Sequence, residues 1–469
     1  MKRMAKIILL PLVAFTVSSC RFQNVLTLFS SDSNEENALN QLTTPKVEKI
    51  TTEYYAKMSP KTFDSYMAFA TKFSSLCINV TRQDGYKESL GVSIPDAYLC
   101  FAIEGIISND AARNDVLSYL ELDSVEELRI ATKEIIQCLC TLHKNNEGKL
   151  TGGYNLNSVW LNPEKVSLIQ EKDEQLYKDL EEIFDVSTYL EALTTAKAKK
   201  YINDYGLENM PVPDIELDDD NPPAVGTMSV YYCLDYFPQE DKLRYKEEFT
   251  KGNHKMDYQV DDKVDQVDYI YSQGLRNVYE GDNFYGSSLP INRLNMMFFL
   301  PKDSNALPNS ILDDVLNGNY ELKHGIMTYK GEEKDTTIFD VSVSAPYFSL
   351  ENDIYLGHNV LSSILPIITY GGAAERLVQT KSGLTLVLSF LRQFSIMKFN
   401  YDGFYSCSVT IMGATEGMPE EEPVYEHFDL KLNHPYIFEV TKFVSTDSSY
   451  NYKRLPIVVG EIINPNYKD

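Results

Sequence analysis

The chain has 469 residues and carries a formal net charge of −25 at pH 7. So much negative charge excludes nucleic acid as a partner, because the phosphate backbone would be repelled, and it provides no attraction to an anionic membrane surface. Hydrophobic residues make up 43% of the chain, which is enough for a sizeable core. The six histidines are scattered, and no nucleophile–base pair or pair of carboxylates is arranged for catalysis. We therefore predict neither an enzyme nor a metal or cofactor site.

The first 20 residues are typical of a bacterial lipoprotein signal. A positively charged start precedes an apolar run at 7–17, which is too short to cross a bilayer as a mature helix. The run ends in the sequence Val-Ser-Ser before Cys20, which resembles the lipobox that precedes a lipid-modified cysteine. We predict a signal peptide over 1–19, a lipid on Cys20 and placement in the outer membrane, on its periplasmic face or at the cell surface, because Arg21 is not the aspartate that retains many lipoproteins at the inner membrane. The alternative is a soluble secretory signal that happens to contain Cys20.

The next segment differs in composition from the rest of the chain. Residues 20–57 are rich in Ser, Asn, Glu and Thr, and they have little to bury, so we predict a flexible tether. Residues 58–469 contain no obvious linker and no internal repeat, so we predict one domain there. The six cysteines other than Cys20 permit disulfides in an exported protein, but their spacing suggests no framework. Their apolar neighbours indicate that most of them are buried as small hydrophobic side chains.

Apolar spacing predicts helices in the first half of the domain and strands in the second. Helices are predicted over 62–78, 97–107, 112–120, 124–142 and 187–205, with a strand over 154–161. Ser124 and Glu127 form a capping box at the start of one helix, and the acidic segment 214–223 is predicted as a loop. Later strands are predicted over 227–237, 294–300, 337–348, 384–391, 394–399, 405–412, 436–443 and 455–462. Helices followed by strands within one domain make an α+β pattern.

Seven different short motifs follow one another along this domain. They are Ser93-Ile94-Pro95-Asp96 at a helix start, Asn157–Leu161, Ala198–Tyr205, Phe298–Pro301, Val343–Phe348, Asn433–Phe438 and Leu455–Pro465. In this order and at this spacing they resemble motifs of the serpin family. The resemblance implies an α+β serpin fold, in which a helix-rich N-terminal half packs on a large central β-sheet, with smaller sheets and an exposed reactive-centre loop.

The resemblance also implies a mechanism. An inhibitory serpin is a suicide inhibitor of serine or cysteine endopeptidases. The protease cleaves the reactive-centre loop, which then inserts into the central sheet as a new strand. Such a protein has no catalytic residues and no cofactor of its own, its partner is the target protease, and we expect it to be a monomer that meets the membrane only through its lipid.

Three sets of residues are implied by the same resemblance. The loop hinge is predicted to comprise Tyr401, Asp402, Gly403, Phe404, Tyr405, Ser406, Cys407, Ser408, Val409 and Thr410. Counting forward from Gly403 places the scissile bond near Gly417 and Met418, whereas counting back from Pro435 places it near Val424 and Tyr425. A polar cluster that would control the opening of the sheet is assigned to Ser93, Asp96, Cys233 (or Tyr232) and Gln393.

The loop itself leaves two hypotheses open. Residues 403–415 contain no proline and no charge, and alternate positions are mostly small, which is what insertion into a sheet requires. The bulky Phe404, Tyr401 where the family has a glutamate, and the altered polar cluster favour instead a non-inhibitory serpin-fold surface lipoprotein with a binding or structural role. A third hypothesis is a surface binding protein unrelated to serpins.

Overall fold

The structure, a computed structural model, describes residues 41–47, 57–83, 88–144, 150–207, 210–237, 239–260, 263–291, 293–405, 423–446 and 452–465. Helices dominate the part before residue 206 and strands dominate the part after it, which confirms the α+β pattern. The helices are α1 (Pro60–Gln83), α2 (Pro95–Ile107), α3 (Asp110–Tyr119), α4 (Val125–Leu139), α5 (Glu174–Glu182), α6 (Thr195–Tyr205), α7 (Gln239–Lys251), α8 (Leu312–Asn317) and α9 (His358–Ile364). None of the described helices combines the length and the apolar character that crossing a bilayer requires.

Local side chains decide where several helices begin. Asn109, Asp173 and Thr194 each accept a hydrogen bond from a backbone N–H three residues later. The predicted capping box is confirmed in its first bond, because the Ser124 hydroxyl accepts from the Glu127 N–H at 3.2 Å. The Glu127 carboxylate accepts from the backbone N–H of Asp123, at 2.8 Å, one residue earlier than the motif specifies.

The strands fall into two large and two small sheets. They are β1 (Gln41–Thr43), β2 (Leu90–Ser93), β3 (Leu142–Lys144), β4 (Leu150–Leu161), β5 (Val166–Leu168), β6 (Val186–Tyr189), β7 (Val225–Tyr236), β8 (Lys255–Val260), β9 (Lys263–Glu280), β10 (Phe284–Pro290), β11 (Asn295–Pro301), β12 (Glu321–Leu322), β13 (Gly325–Tyr329), β14 (Glu332–Thr336), β15 (Ile338–Pro346), β16 (Phe348–Gly357), β17 (Val378–Thr380), β18 (Phe390–Asn400), β19 (Gly403–Tyr405), β20 (Val424–Tyr425), β21 (His427–Lys431), β22 (Tyr436–Ser445) and β23 (Tyr452–Ile462).

The first large sheet, called the central sheet below, has the strand order β1-β6-β4-β7-β19-β18-β16, with β3 paired to β4. Strands β4 and β6 are parallel, and the other neighbours in this order are antiparallel. Helix α2 packs against β7, and α1 packs against β23 of the second sheet. Between these helices Phe69 meets Tyr98 and Phe101 with ring centroids 5.2 and 5.3 Å apart. The core therefore lies between the two large sheets and is filled by the first helices.

The second large sheet has the order β2-β23-β22-β11-β10-β9-β15-β21 and includes the C-terminal motifs. Both predicted C-terminal strands are confirmed, since β22 pairs with β11 on one side and with β23 on the other. Gly460 is required in β23, because a Cβ there would lie 2.5 Å from both the Leu90 carbonyl oxygen and the Phe438 ring.

Three sequence-based assignments differ from the structure. Residues 41–47, assigned to the tether, lie against the body: the buried Thr43 hydroxyl donates to the Val186 carbonyl oxygen at 2.8 Å. Residues 187–189, assigned to a helix, belong to β6, because this β-branched and aromatic segment is buried beside β4. Most of 384–391 forms no ladder, and the regular strand β18 begins only at Phe390.

Candidate functional site

The hinge begins with a tight turn at the end of β18. The Asp402 N–H donates to the Asn400 side-chain oxygen at 2.8 Å, and the Phe237 N–H donates to the Asp402 carbonyl oxygen at 3.0 Å. Gly403 follows with φ of +142°, and a Cβ there would lie 2.3 Å from the Asp235 carbonyl oxygen. Only glycine fits this backbone, so the turn returns the chain into the sheet at this residue.

The next three residues form a strand that is paired on both sides. Gly403, Phe404 and Tyr405 of β19 lie opposite Asn400, Phe399 and Lys398 of β18. On their other side they lie opposite Tyr236, Asp235 and Leu234 of β7. The start of the predicted hinge therefore lies between the two middle strands of the central sheet. We call this the upper end of the sheet.

Two aromatic side chains hold the hinge in place. Phe404 is fully buried and belongs to the hydrophobic core. Tyr401 packs against Phe249 and Tyr347, with ring centroids 5.3 and 6.4 Å apart. Lys242 forms an ion pair with Asp402. These contacts oppose release of the hinge from the sheet.

Below the hinge, β7 and β18 continue with no described strand paired between them. Within the described part of the chain, no ladder joins residues 225–233 of β7 to residues 390–397 of β18. We call the space between these two spans the slot. Residues equally distant from Tyr236 and from Asn400 lie at the same level, since both of these residues pair with Gly403.

Three of the four residues assigned to the polar cluster meet at one side of the slot. Gln393 accepts from the Ser93 N–H at 3.0 Å and donates to the Ser93 carbonyl oxygen at 2.8 Å. The Asp96 carboxylate accepts from the Gln393 side chain at 3.2 Å and from the Ser93 hydroxyl. These bonds tie the start of α2 to β18.

Helix α2 supplies the floor of the slot. Asp96, Cys100 and Glu104 are four residues apart and lie on one face of the helix. The Thr227 hydroxyl of β7 donates to the Glu104 carboxylate at 2.6 Å, and the Ser229 N–H of β7 donates toward the Cys100 sulfur. Burial raises the pKa of Asp96 to about 6 and also raises the pKa of Glu104. The floor thus bonds to both walls of the slot and contains two carboxyl groups that resist ionisation.

Cys233 is not at the level of the other three residues. It lies four residues above Ser229 on β7, and it lines a cavity of about 20 Å³ with Tyr231 and Lys442. Ser229 is instead the residue level with Gln393, because each lies seven residues from the pairing with Gly403. The Ser229 hydroxyl donates to the Asn157 side-chain oxygen at 2.7 Å.

Sequence reasoning missed Cys100, Glu104 and Thr227. The four-residue spacing of Asp96, Cys100 and Glu104 along an otherwise apolar helix was the signal that could have found the floor. Other predicted site residues lie outside the described residues: Cys20, Ser406, Cys407, Ser408, Val409, Thr410, Gly417 and Met418. Val424 and Tyr425, the second candidate position for the scissile bond, form β20 and pair with β13.

Solved structures match most of the chain. A native thermophilic serpin, tengpin, aligns with a TM-score of 0.59 and 14% identity over 90% of this chain and 97% of its own. The chain has the serpin fold. A serpin of Arabidopsis in the native stressed conformation aligns with a TM-score of 0.60 and 14% identity, over 87% of this chain and 99% of its own.

The serpin fold is matched equally well in its cleaved form. Cleaved Serpin 42Da aligns with a TM-score of 0.59 and 13% identity, over 87% of this chain and 99% of its own. No family model matches the sequence, and no curated protein matches it either. Within the serpin fold, Gly403–Tyr405 begin the segment that the resemblance assigns to the reactive-centre loop, and the slot is the space between the strands that flank it.

Proposed function

We propose that the protein is an inhibitor of serine or cysteine endopeptidases that acts by cleavage and insertion of its reactive-centre loop. One observation carries the proposal: β19 is already paired with both β7 and β18, directly above a slot that no described ladder closes. Extension of β19 down the slot would add hydrogen bonds on both edges and cover the side chains of the floor. That gain of free energy is what would drive insertion after cleavage.

The register of β19 specifies where the loop residues would lie after insertion. Continuing the two pairings places Thr410 between Gln393 and Ser229, directly over the polar cluster. Side chains alternate along a strand, and Phe404 faces the core, so Ser406 and Thr410 would face the floor with it. Small hydroxyl side chains can bond to the polar floor, whereas a carboxylate would be buried against the Asp96 carboxyl group without a cation.

The test is an incubation of the mature protein with trypsin-like, chymotrypsin-like and papain-like endopeptidases. We expect a covalent complex that survives SDS with at least one of them. Thr410→Glu is expected to convert the protein into a substrate that is cleaved without forming the complex, because its carboxylate would be buried against the Asp96 carboxyl group. Val409→Glu is the matched control, since its side chain would face away from the core, and it is expected to keep the complex. Clean cleavage of the unaltered protein across the whole panel contradicts inhibition.

The buried Phe404 and the packed Tyr401 favour a second candidate function. A hinge held this firmly suits a non-inhibitory serpin-fold protein with a binding or structural role. Cleavage of the loop separates the two candidates, because insertion raises the melting temperature and a passive loop leaves it unchanged. A rise in the unaltered protein that is absent in Thr410→Glu supports insertion. No rise in either protein supports the non-inhibitory function.

The proposal includes an anchor at Cys20 in the outer membrane. Its support is the run of apolar residues at 7–17 followed by small residues before Cys20. We expect expressed protein to incorporate labelled fatty acid and to fractionate with outer membranes. Cys20→Ala is expected to abolish the fatty-acid label, and Cys407→Ala, which alters another cysteine, is expected to keep it. Labelling that persists in Cys20→Ala contradicts the anchor.

A further inference from the structure

A group of large apolar side chains is exposed at the end of the central sheet opposite the hinge, which we call the lower end. The apolar end patch, as we name it, consists of Tyr355, Ile367, Tyr370, Leu384, Val387 and Phe390. Leu384 is 73% exposed and Tyr370 is 68% exposed. Single exposed apolar residues are ordinary on a protein surface, but a contiguous group marks an interaction site.

The patch is one continuous surface. The Leu388 N–H donates to the Ile368 carbonyl oxygen at 3.0 Å, and the Ala373 N–H donates to the Leu386 carbonyl oxygen at 3.2 Å. Residues 384–390 therefore run alongside residues 367–373, which brings their exposed side chains together. Tyr355 stacks on Phe390 with ring centroids 6.3 Å apart, so the surface extends to the ends of β16 and β18.

Buried contacts hold this surface in shape. The Asp115 carboxylate of α3 accepts from the N–H groups of Ile367 and Ile368, at 2.8 and 3.1 Å. Arg376 donates to the Ile106 carbonyl oxygen at the end of α2, at 2.7 Å. The exposed side chains thus project from a backbone that is fixed to the core, and the patch is available without rearrangement.

The chain enters the described body at the same end of the sheet. Gln41 pairs with Tyr189, and Tyr189 pairs with Trp160 of β4, which lies opposite Gly226 of β7. Gly226 and Phe390 are level, because each lies ten residues from the pairing with Gly403. Across the lower end of the sheet, six strand spacings, or about 29 Å, separate β1 from β16. The hinge lies about 33 Å from this end, because ten residues along the strands separate the two levels.

We propose that the apolar end patch rests in the interfacial layer of a phospholipid bilayer, with the hinge and the reactive-centre loop held away from the membrane. The proposal rests on the anchor at Cys20 given under the proposed function. The 21 residues from Cys20 to Gln41 span at most about 70 Å, so they permit the lower end to reach the surface that holds the lipid.

The chemistry of the patch suits a lipid interface. Tyrosine and phenylalanine place apolar rings at the boundary between acyl chains and water, and leucine, isoleucine and valine enter the apolar side of that boundary. Of the charged groups beside the patch, Arg392 is paired with Asp353, and the Glu375 carboxylate accepts from the Thr385 hydroxyl at 2.7 Å. A chain of net charge −25 gains nothing from anionic lipids, so the contact would be apolar and insensitive to salt.

Vesicle binding by the full mature chain carrying Cys20→Ser tests the patch without the lipid anchor. We expect this protein to sediment with phosphatidylcholine vesicles equally at 0.1 and ~0.5 M salt. The double variant Tyr370→Ser/Leu384→Ser is expected to lower the partition coefficient onto vesicles at least about ten-fold, which is the loss of about 1.4 kcal/mol or more of binding free energy. The matched control is Val264→Ser/Leu275→Ser, which alters side chains on β9 that are 59% and 58% exposed, and it is expected to bind unchanged.

A fluorescent reporter gives a second readout that does not require loss of binding. Trp160 is the only tryptophan and is buried, so it adds a constant background. Tyr370→Trp is expected to shift its emission to the blue on vesicles and to be quenched by brominated lipid, whereas Leu275→Trp is expected to show neither effect.

Three results overturn the proposal: no vesicle binding, equal binding by the patch and control variants, or self-association in the absence of vesicles that only the patch variant loses. The last result would identify a second copy of the chain as the occupant. None of these outcomes bears on protease inhibition, and a failed anchor at Cys20 leaves this experiment unaffected, so the failures can be told apart.

Discussion

Replacing Asp96 by asparagine removes the charge from the floor of the slot while keeping its shape. The Asp96 carboxylate accepts from the Ser93 hydroxyl and from the Gln393 side chain, and these bonds favour ionisation. Burial outweighs them and raises the pKa of Asp96 from 3.8 to about 6. The asparagine oxygen can still accept from Ser93, so the variant separates the effect of charge from the effect of packing.

The sign of the effect follows from the direction of this pKa. Because the pKa is higher in the folded protein than in the unfolded chain, ionised Asp96 costs folding free energy. The contribution of Asp96 to the free energy of unfolding therefore decreases as the pH rises from about 4 to about 6, and it is level above that window. A rise from 3.8 to about 6 corresponds to about 3 kcal/mol, which is an upper limit because Asp96 is not fully shielded from solvent. Asp96→Asn is expected to match the unaltered protein near pH 4 and to exceed its stability above pH 6.

The other titratable groups around Asp96 either stay neutral between pH 4 and pH 6 or can be accounted for with a second variant. Burial raises the pKa of Tyr66 and Cys77 of α1 and of Cys100 of α2, so all three stay neutral in this window. Glu104 lies two helical turns away, about 12 Å along α2, and the pKa of its carboxyl is also raised. Glu104→Gln is therefore the companion variant, because it measures how much Glu104 contributes to the change of unfolding free energy with pH.

Urea unfolding between pH 4 and pH 8 measures the effect. We expect the urea midpoint of Asp96→Asn to exceed that of the unaltered protein by an amount that grows across pH 4–6 and is constant above pH 6. Equal pH dependence in the two proteins would refute the placement of an ionisable carboxyl in a desolvated floor. The same variant is expected to make inhibition less dependent on pH, because an inserted strand would cover the carboxyl further.

Three further predictions concern the hinge and the buried ion pairs. Gly403→Ala is expected to cost about 3 kcal/mol or more in urea unfolding, because its φ of +142° and the nearby Asp235 oxygen leave no room for a Cβ. The control Gly252→Ala is expected to cost about 1 kcal/mol, because Gly252 has a φ of +65° and open space around it. Phe404→Ala is expected to cost about 3–5 kcal/mol in the uncleaved protein by emptying a buried site, and an unchanged melting temperature would contradict the burial of the hinge. Arg82→Met is expected to cost about 3–5 kcal/mol by leaving the buried Glu461 without its cation, and Arg82→Met/Glu461→Gln is expected to recover most of that loss in the same assay.

The elements predicted well are those whose signals are local. The helix predicted over 97–107 is observed as Pro95–Ile107, because the proline at its start and its apolar positions lie within the helix itself. The C-terminal strands were equally readable, since long β-branched runs are buried on both faces. The prediction for residues 187–189 was wrong for the opposite reason. Their strand exists because β4 lies beside them, and the paired residues of β4 are 29 residues earlier in the sequence.

The site divides in the same way. The residue types along the chain were enough to show that Gly403 begins an uncharged segment and that Ser93, Asp96 and Gln393 are polar residues in apolar surroundings. The pairing of distant strands was needed to show that Gly403–Tyr405 are paired on both edges, that Ser229 rather than Cys233 is level with Gln393, and that Glu104 completes the floor. Register and level in a sheet depend on hydrogen bonds between strands far apart in the chain, whereas glycine geometry, helix caps and apolar periodicity depend on neighbours a few residues away.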